Sequence, residues 1–274
     1  MGLDRVKDDF HYRHKRAWLR SNTYLLTRAL PGRVRRIRQL SREPIVIGGC
    51  GRSGTTLLLS VLSCHPEIHA IPQETGALCR GALKPELGLD APFRLELLYE
   101  HLVESAISPT ARRWCEKTPR NVWYFERLID HFGAGIRLLN IVRDGRDVVR
   151  SRHPSNPDST HVQPRRWVAD VGAGKAVEDH PQVLTIRYED LVGQYEPTLR
   201  RVCEFLEVDF VTAFLAYPTS AVVKSNTAWF GPARAVTTNS VGAWRESSSE
   251  DPVRELLAIP EALELLRHYS YETA

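Results

Sequence analysis

The sequence predicts an α/β protein: a parallel sheet flanked by helices on both faces. Three observations lead there. Short apolar runs that read as buried strands, Ile45-Val46-Ile47, Ile136 to Val142 and Val183 to Arg187, alternate with stretches of helical periodicity. Between the first run and the Leu-rich helix after it lies a glycine-dense turn, Gly48-Gly49-Cys50-Gly51-Arg52-Ser53-Gly54-Thr55-Thr56. No internal repeat or low-complexity tract interrupts the alternation. Parallel strands need crossover connections, and crossovers cover both faces of the sheet.

Residues 1–42 read as a basic helical extension, because Trp18, Leu19, Leu25 and Leu26 recur at helical spacing among many cations. A single domain is expected over residues 43–274. Its first strand runs into the glycine turn, and Thr55 to Ser63 forms the next helix. Pro66 and Pro72 bracket a short loop or strand, Ile68 to Ile71. A helical pattern covers Phe93 to Ala106, and Trp114 to Glu116 reads as a strand ending at Lys117. Asn121 to Phe132 is expected as one helix, closed by Gly133. After the Ile136 to Val142 strand comes Arg143, then a helix from Arg146. Tyr195 to Leu206 is amphipathic and helical. The C-terminal quarter is less regular. Ser220 to Ser249, rich in Ser, Thr, Asn and Gly, is too long for a mere connection.

At 274 residues the chain suffices for one large α/β domain or two modest ones. Its 42% apolar and 26% charged residues are ordinary for a soluble globular protein. No uninterrupted apolar run is long enough for a transmembrane helix. The N-terminus lacks the apolar core and small-residue cleavage site of a secretory signal. Val6 stands where a myristoylation signal needs Ser or Thr. A cytoplasmic protein is expected. Five cysteines (Cys50, Cys64, Cys79, Cys115 and Cys203) form no C-x-x-C pair or Cys/His cluster. They predict reduced, buried thiols, with no zinc site and no disulfide framework. The net charge of +4 is uneven: residues 1–42 hold twelve Lys/Arg against three Asp, a balance of +9, so the remainder carries −5. Such a segment is expected to lie peripherally on an anionic membrane, to meet an acidic partner or a second subunit, or to pack as a solvated helix beside the core. No nucleic-acid partner is expected.

A strand, a glycine turn and a helix N-terminus together make a phosphate cradle, because backbone N–H groups and the helix dipole converge there. The nucleotide-loop pattern G-x-x-x-x-G-K-[ST] fits Gly49 to Thr56 except at its Lys, where Thr55 stands. Arg52 is the only cation in the loop. In a doubly wound sheet, ligands bind beyond the carboxyl ends of the strands. Three strands end there in charged or hydroxyl residues: Arg52 to Thr56, Lys117-Thr118, and Arg143 with Ser151 downstream. Two separate basic clusters fit two phosphate-type subsites a nucleoside's width apart.

G-x-x-R-S-G-T-T-L, here Gly49 to Leu57, is followed on a later strand by Arg143-Asp144-Gly145-Arg146-Asp147-Val148-Val149-Arg150-Ser151. This pair of motifs resembles the 3′-phosphoadenosine 5′-phosphosulfate (PAPS)-dependent sulfotransferases. Glu116-Lys117-Thr118-Pro119, Arg187 to Leu191 and Ser240 to Arg245 extend the resemblance, which spans Ile45 to Arg245 and leaves residues 1–42 outside it. Pro119 stands where the cytosolic phenol enzymes keep a His, so the likeness is nearer the tyrosine and carbohydrate members. The resemblance implies a P-loop nucleotide-kinase-like parallel sheet with helices on both faces. It implies PAPS as co-substrate, no metal, and transfer of a sulfuryl group to a hydroxyl acceptor: a carbohydrate, a lipid head group, a peptide tyrosine or a small metabolite.

By residue, the resemblance implies that Ser53, Gly54, Thr55 and Thr56 hold the 5′-phosphate and that Arg52 meets the bridging oxygen. It places Lys117 on the sulfuryl oxygens, Arg143 and Ser151 on the 3′-phosphate, Tyr188 near the adenine, and Ser240 in a loop closing over the 3′-phosphate. The missing loop Lys makes chemical sense, since PAPS has no polyphosphate for a metal to bridge. The acceptor must lose a proton, which requires a base. Glu74 follows the first helix in a Glu-Thr pair like that of the tyrosine and carbohydrate enzymes, offset by one residue. His65, Glu67 and His69 are the alternatives. Arg146 and Asp147 are expected as an ion pair or as helix caps, and acceptor choice is assigned to Gly76 to Leu98 and Ser155 to Val162. Two rivals remain: a P-loop kinase, disfavoured by Thr55, and a non-catalytic nucleotide- or membrane-binding module, disfavoured by the full set of candidate residues.

Overall fold

The computed structural model describes residues 3–153, 156–225, 232–246 and 251–271. Along the chain, α1 (Leu3–Arg28) and α2 (Pro31–Leu40) precede β1 (Ile45–Gly49), α3 (Thr55–Leu62), β2 (Ile68–Ala70), α4 (Arg80–Leu83), α5 (Leu95–Glu104) and β3 (Arg113–Lys117). Next come α6 (Phe125–Phe132), β4 (Arg137–Val142), α7 (Gly145–Val149) and an antiparallel hairpin of β5 (Arg152–His153) with β6 (Asn156–Thr160). The chain continues through α8 (Pro164–Lys175), β7 (Val183–Arg187), α9 (Tyr188–Gly193), α10 (Tyr195–Leu206), α11 (Asp251–Leu257) and α12 (Pro260–His268).

β2, β3, β1, β4 and β7 lie side by side in that order, every pair parallel. β1 is central and buried at all its positions, as a strand covered on both faces must be. Alternation along it divides the core. Ile45 and Ile47 pack with Leu58 and Leu59 of α3 and Leu199 and Val202 of α10, while Val46 faces Ile37 and Leu40 of α2 and Leu98 of α5. A third apolar cluster, with Trp167, Val171, Leu256 and Leu265, closes over Cys50 and Val142. Because all five strands run the same way, the glycine turn after β1, Lys117 at the end of β3, Arg143 after β4 and Tyr188 after β7 emerge at one edge. Among the described residues no helix is long and apolar enough to cross a membrane.

The expected helix from Asn121 to Phe132 is split: Pro119–Tyr124 is a 3₁₀ turn and α6 begins only at Phe125. The cause is close packing on β1. Asn121 Nδ2 donates to the Ile47 carbonyl at 3.2 Å, and a Cβ on Gly48 would fall 2.6 Å from Val122 N. The C-terminal quarter is more regular than expected, since α11 and α12 both form there. Of Ser220 to Ser249, residues 226–231 and 247–249 lie outside the described residues, as does Ser155. The rest is irregular apart from a 3₁₀ turn at Ala243–Glu246.

Candidate active site

β1 delivers the chain to the ligand edge, and two glycines shape the turn. Gly49 has φ +139°, and a Cβ there would lie 2.3 Å from the Ile141 carbonyl oxygen. Gly54 is left-handed (φ 93°) as it opens α3, and a Cβ there would lie 2.5 Å from the Tyr188 ring. Arg52 is also left-handed, φ 67°, without being glycine. Such a conformation costs on the order of 1–3 kcal/mol and persists only where its surroundings enforce it. The first turn of α3 presents backbone N–H groups that have no helical acceptor. Beside them, Ser53 Oγ is buried with no hydrogen-bond partner. An orphaned hydroxyl next to a helix N-terminus fits a bound phosphate.

Arg52 Nε donates to Ser151 Oγ at 2.7 Å. Arg143 donates to the Arg52 carbonyl at 3.1 Å and to the carbonyl of Ser240. Its guanidinium stacks 4.5 Å from the Tyr188 ring centroid, and the Tyr188 and Ser240 hydroxyls are 2.7 Å apart. Arg52, Arg143, Ser151, Tyr188 and Ser240 therefore meet, although they come from widely separated parts of the chain. The sequence reading set Arg52 a nucleoside's width from Arg143 and Ser151; here its side chain reaches across to the β4 side and bonds Ser151 directly. Burial, and then the charge of Arg143, pushes the Arg52 guanidinium below its usual pKa. The carboxylate of Asp147, 3.8 Å from Arg143, balances part of that charge. Two half-buried cations so placed favour an anionic ligand.

On the β3 side, fully buried Lys117 donates from Nζ to Glu74 Oε1, whose side chain is 35% exposed. Behind this pair sits a residue to which the sequence reading gave no role of its own. Glu116 is fully buried, and its Oε1 accepts from Thr75 N (3.1 Å), Thr75 Oγ1 (2.9 Å) and Thr118 Oγ1 (2.7 Å). Oε2 accepts from Asn121 Nδ2 at 2.7 Å. Burial pushes the Glu116 carboxyl above its ordinary pKa, against these hydrogen bonds. Through Thr75 it fixes the segment that carries Glu74. The available signal was a carboxylate inside a strand, which must find partners when buried.

The other candidate bases lie elsewhere. His65 and Glu67 precede β2, at the opposite edge of the parallel sheet. His65 caps its turn, with Nδ1 accepting from Glu67 N at 3.1 Å and Nε2 3.0 Å from the Asp209 carbonyl. His69 is on β2, bonded to Ser105 Oγ at 2.9 Å. Burial, and the charge of Arg33, pushes its pKa down to about 4. Cys50 is buried, and burial holds its thiol well above the ordinary range, which opposes a reactive thiolate. All five cysteines are free and buried.

Arg146 pairs with Asp144, not with Asp147: Asp144 caps α7 by accepting from Arg146 N at 2.9 Å and meets the Arg146 guanidinium at 2.8 Å. Asp147 instead accepts from Gly242 N (2.8 Å) and Trp244 N (2.9 Å), which ties the Ser240 to Arg245 segment to α7. Arg146 stacks 4.1 Å from the Trp244 ring. A second unforeseen group borders the loop, where Asp170 accepts from Trp123 Nε1 at 2.7 Å and Arg166 Nε at 3.4 Å. Arg166 Nη2 is 3.5 Å from where a Gly51 Cβ would stand.

The chain is similar to two curated proteins. Protein-tyrosine sulfotransferase of Drosophila melanogaster is 25% identical, over 86% of this chain and 54% of its own length, so the chain spans about half of that relative. A putative protein-tyrosine sulfotransferase of Caenorhabditis briggsae is 22% identical, over 84% of this chain and 89% of its own. Among solved structures, the sulfotransferase domain of the curacin biosynthetic pathway shares the fold at TM-score 0.56 and 19% identity, covering 84% of this chain and 98% of that one. The sulfotransferase domain of the Synechococcus PCC 7002 olefin synthase does so at 0.52 and 17%, covering 84% and 95%. The five-stranded parallel sheet is thus the P-loop kinase-like fold of these enzymes. Residues 44–212, more than half of the chain and every site element through Tyr188, match the sulfotransferase family, and the chain belongs to it.

Proposed function

We propose that the protein transfers the sulfuryl group of PAPS to a hydroxyl acceptor by in-line displacement. One observation carries this reading: Arg52, Arg143, Ser151, Tyr188 and Ser240 converge on a glycine loop with an orphaned buried hydroxyl, beside the Lys117–Glu74 pair. The nucleotide supplies an activated sulfuryl group and leaves as adenosine 3′,5′-bisphosphate. The N–H groups of the α3 first turn and the hydroxyls of Ser53, Thr55 and Thr56 hold the 5′-phosphate. Arg143, Ser151 and Ser240 hold the 3′-phosphate, and Tyr188 lines the nucleoside. Arg52 is close enough to both to balance the charge that develops on the leaving oxygen. Lys117 orients the sulfuryl oxygens. Glu74, paired with Lys117, takes the acceptor's proton. Residues 1–42 form an extension on a catalytic domain of residues 43–274. Both curated relatives are described as acting on protein tyrosine, which supports tyrosine among the possible acceptors. Incubation with PAPS labelled in the sulfuryl group and an extract of acceptors tests the reading. Label should move to a hydroxyl-bearing molecule in the presence of EDTA. Transfer of phosphate from ATP that depends on magnesium would support a kinase instead.

A further inference from the structure

α1 and α2 expose a face that sulfuryl transfer does not use. One side of α1 is anchored: Ala17, Ser21 and Leu25 are buried, and Ser21 Oγ donates to Glu96 Oε2 of α5 at 3.0 Å. The other side leaves large apolar groups in water. Trp18 is 59% exposed, Leu19 47%, Leu26 60% and Leu30, at the joint with α2, 80%. At 3.6 residues per turn, Trp18, Leu19 and Leu26 fall within an arc of about 100° on the helix. Next to them, exposed Arg35, Arg38 and Arg42 line an open groove of ≈ 490 Å³ along α2, with Pro31, Val34 and Gln39. Arg38 Nη2 donates to Asn22 Oδ1 at 3.4 Å, and Asn22 lies one turn from both Trp18 and Leu26. The apolar patch and the cationic groove are therefore one surface. Residues 13–42 contain ten Lys/Arg and no Asp or Glu.

We infer that this face docks the protein on an anionic membrane surface. The charge and the apolar groups must be explained together. Self-association through a two-fold axis would set the same arginines against each other. A nucleic acid would neutralise them but leave Trp18 and three leucines wet. The boundary of an anionic bilayer takes both, with Trp and Leu at the acyl edge and arginines among the phosphates.

Sedimentation of the full chain with vesicles tests it. Binding should be strong to equimolar phosphatidylcholine and phosphatidylglycerol, weak to phosphatidylcholine alone, and reduced by salt. Replacing Arg35, Arg38 and Arg42 together with Ala should weaken binding by roughly a hundredfold, since each cation near such a surface contributes about fivefold. Leu26→Asp with Leu30→Asp keeps every cation and should also release the protein. All five positions are exposed, so urea unfolding midpoints should stay at the wild-type value. Equal binding to both vesicle types would overturn the inference, as would wild-type binding by the leucine variant. A dimer that the leucine variant dissolves, without vesicle binding, would reassign the face to a second copy.

Discussion

Arg143 touches the Arg52 carbonyl, the Ser240 carbonyl, Asp147 and the face of Tyr188, so one side chain joins the loop after β1 to the segment around residue 240. Arg143→Ala should lower affinity for adenosine 3′,5′-bisphosphate about ten- to a hundredfold, the 1.5–3 kcal/mol of a charge-assisted contact, and leave AMP binding unchanged. Calorimetry with both ligands measures this. Equal affinity of the wild type for the two would remove the 3′-phosphate assignment. Glu74 is the one candidate base at the ligand edge that is both partly exposed and paired with a cation. Glu74→Gln keeps an oxygen that accepts from Lys117 but can take no proton. Its kcat should fall by roughly a hundred- to ten-thousandfold while bisphosphate affinity holds. Full turnover in this variant would move the base elsewhere.

His69 shows how an element's packing sets a titration. On β2 it is half-buried, bonded to Ser105 at the end of α5 and near Arg33 of α2, and burial first, then that charge, lowers its pKa to about 4 from the ordinary 6.5. The unfolded chain takes up this proton near pH 6.5 and the folded chain only near 4, so stability is lost as pH falls through that window. The loss is on the order of 3 kcal/mol at its limit, at 1.36 kcal/mol per pKa unit. Urea unfolding at pH 7 and pH 4 should show a larger drop for the wild type than for His69→Gln; equal drops would mean His69 titrates normally. The strands were legible because a covered parallel strand is a short apolar run, and β1, β4 and β7 read as such. The loop was legible from its glycines and Arg52. What escaped depends on distant partners. Nothing local says that Glu116 collects Thr75, Thr118 and Asn121, that Asp147 holds Gly242, or that Val122 sits so tightly on Gly48 that the helix begins late.

At the scale of the whole molecule, the ligand edge is assembled from residues between Arg52 and Ser240, carried by β1, α3, β4, β7 and the segment tied to α7. Apart from β1 and α3, which are consecutive, these lie far apart in the unfolded chain, so a nucleotide that bridges them binds only the folded state and stabilises it by linkage. The gain is RT ln(1 + [L]/Kd), about 2.7 kcal/mol at a hundred times Kd. For a chain of this size that corresponds to a rise in Tm of about 5–10 °C. Adenosine 3′,5′-bisphosphate should produce this rise without added metal. ADP, which places its second phosphate on the 5′ side, should produce less at the same concentration, because it lacks the 3′-phosphate proposed to meet Arg143 and Ser151. Arg143→Ala should remove most of the difference between the two nucleotides, whereas Glu74→Gln should leave it intact, since the role proposed for Glu74 is on the acceptor's side of the site. Thermal unfolding of the three proteins with each nucleotide decides the matter. Equal stabilisation by ADP and the bisphosphate in the wild type, or a rise that requires magnesium, would mean that the edge reads a polyphosphate and that the loop works as a kinase's.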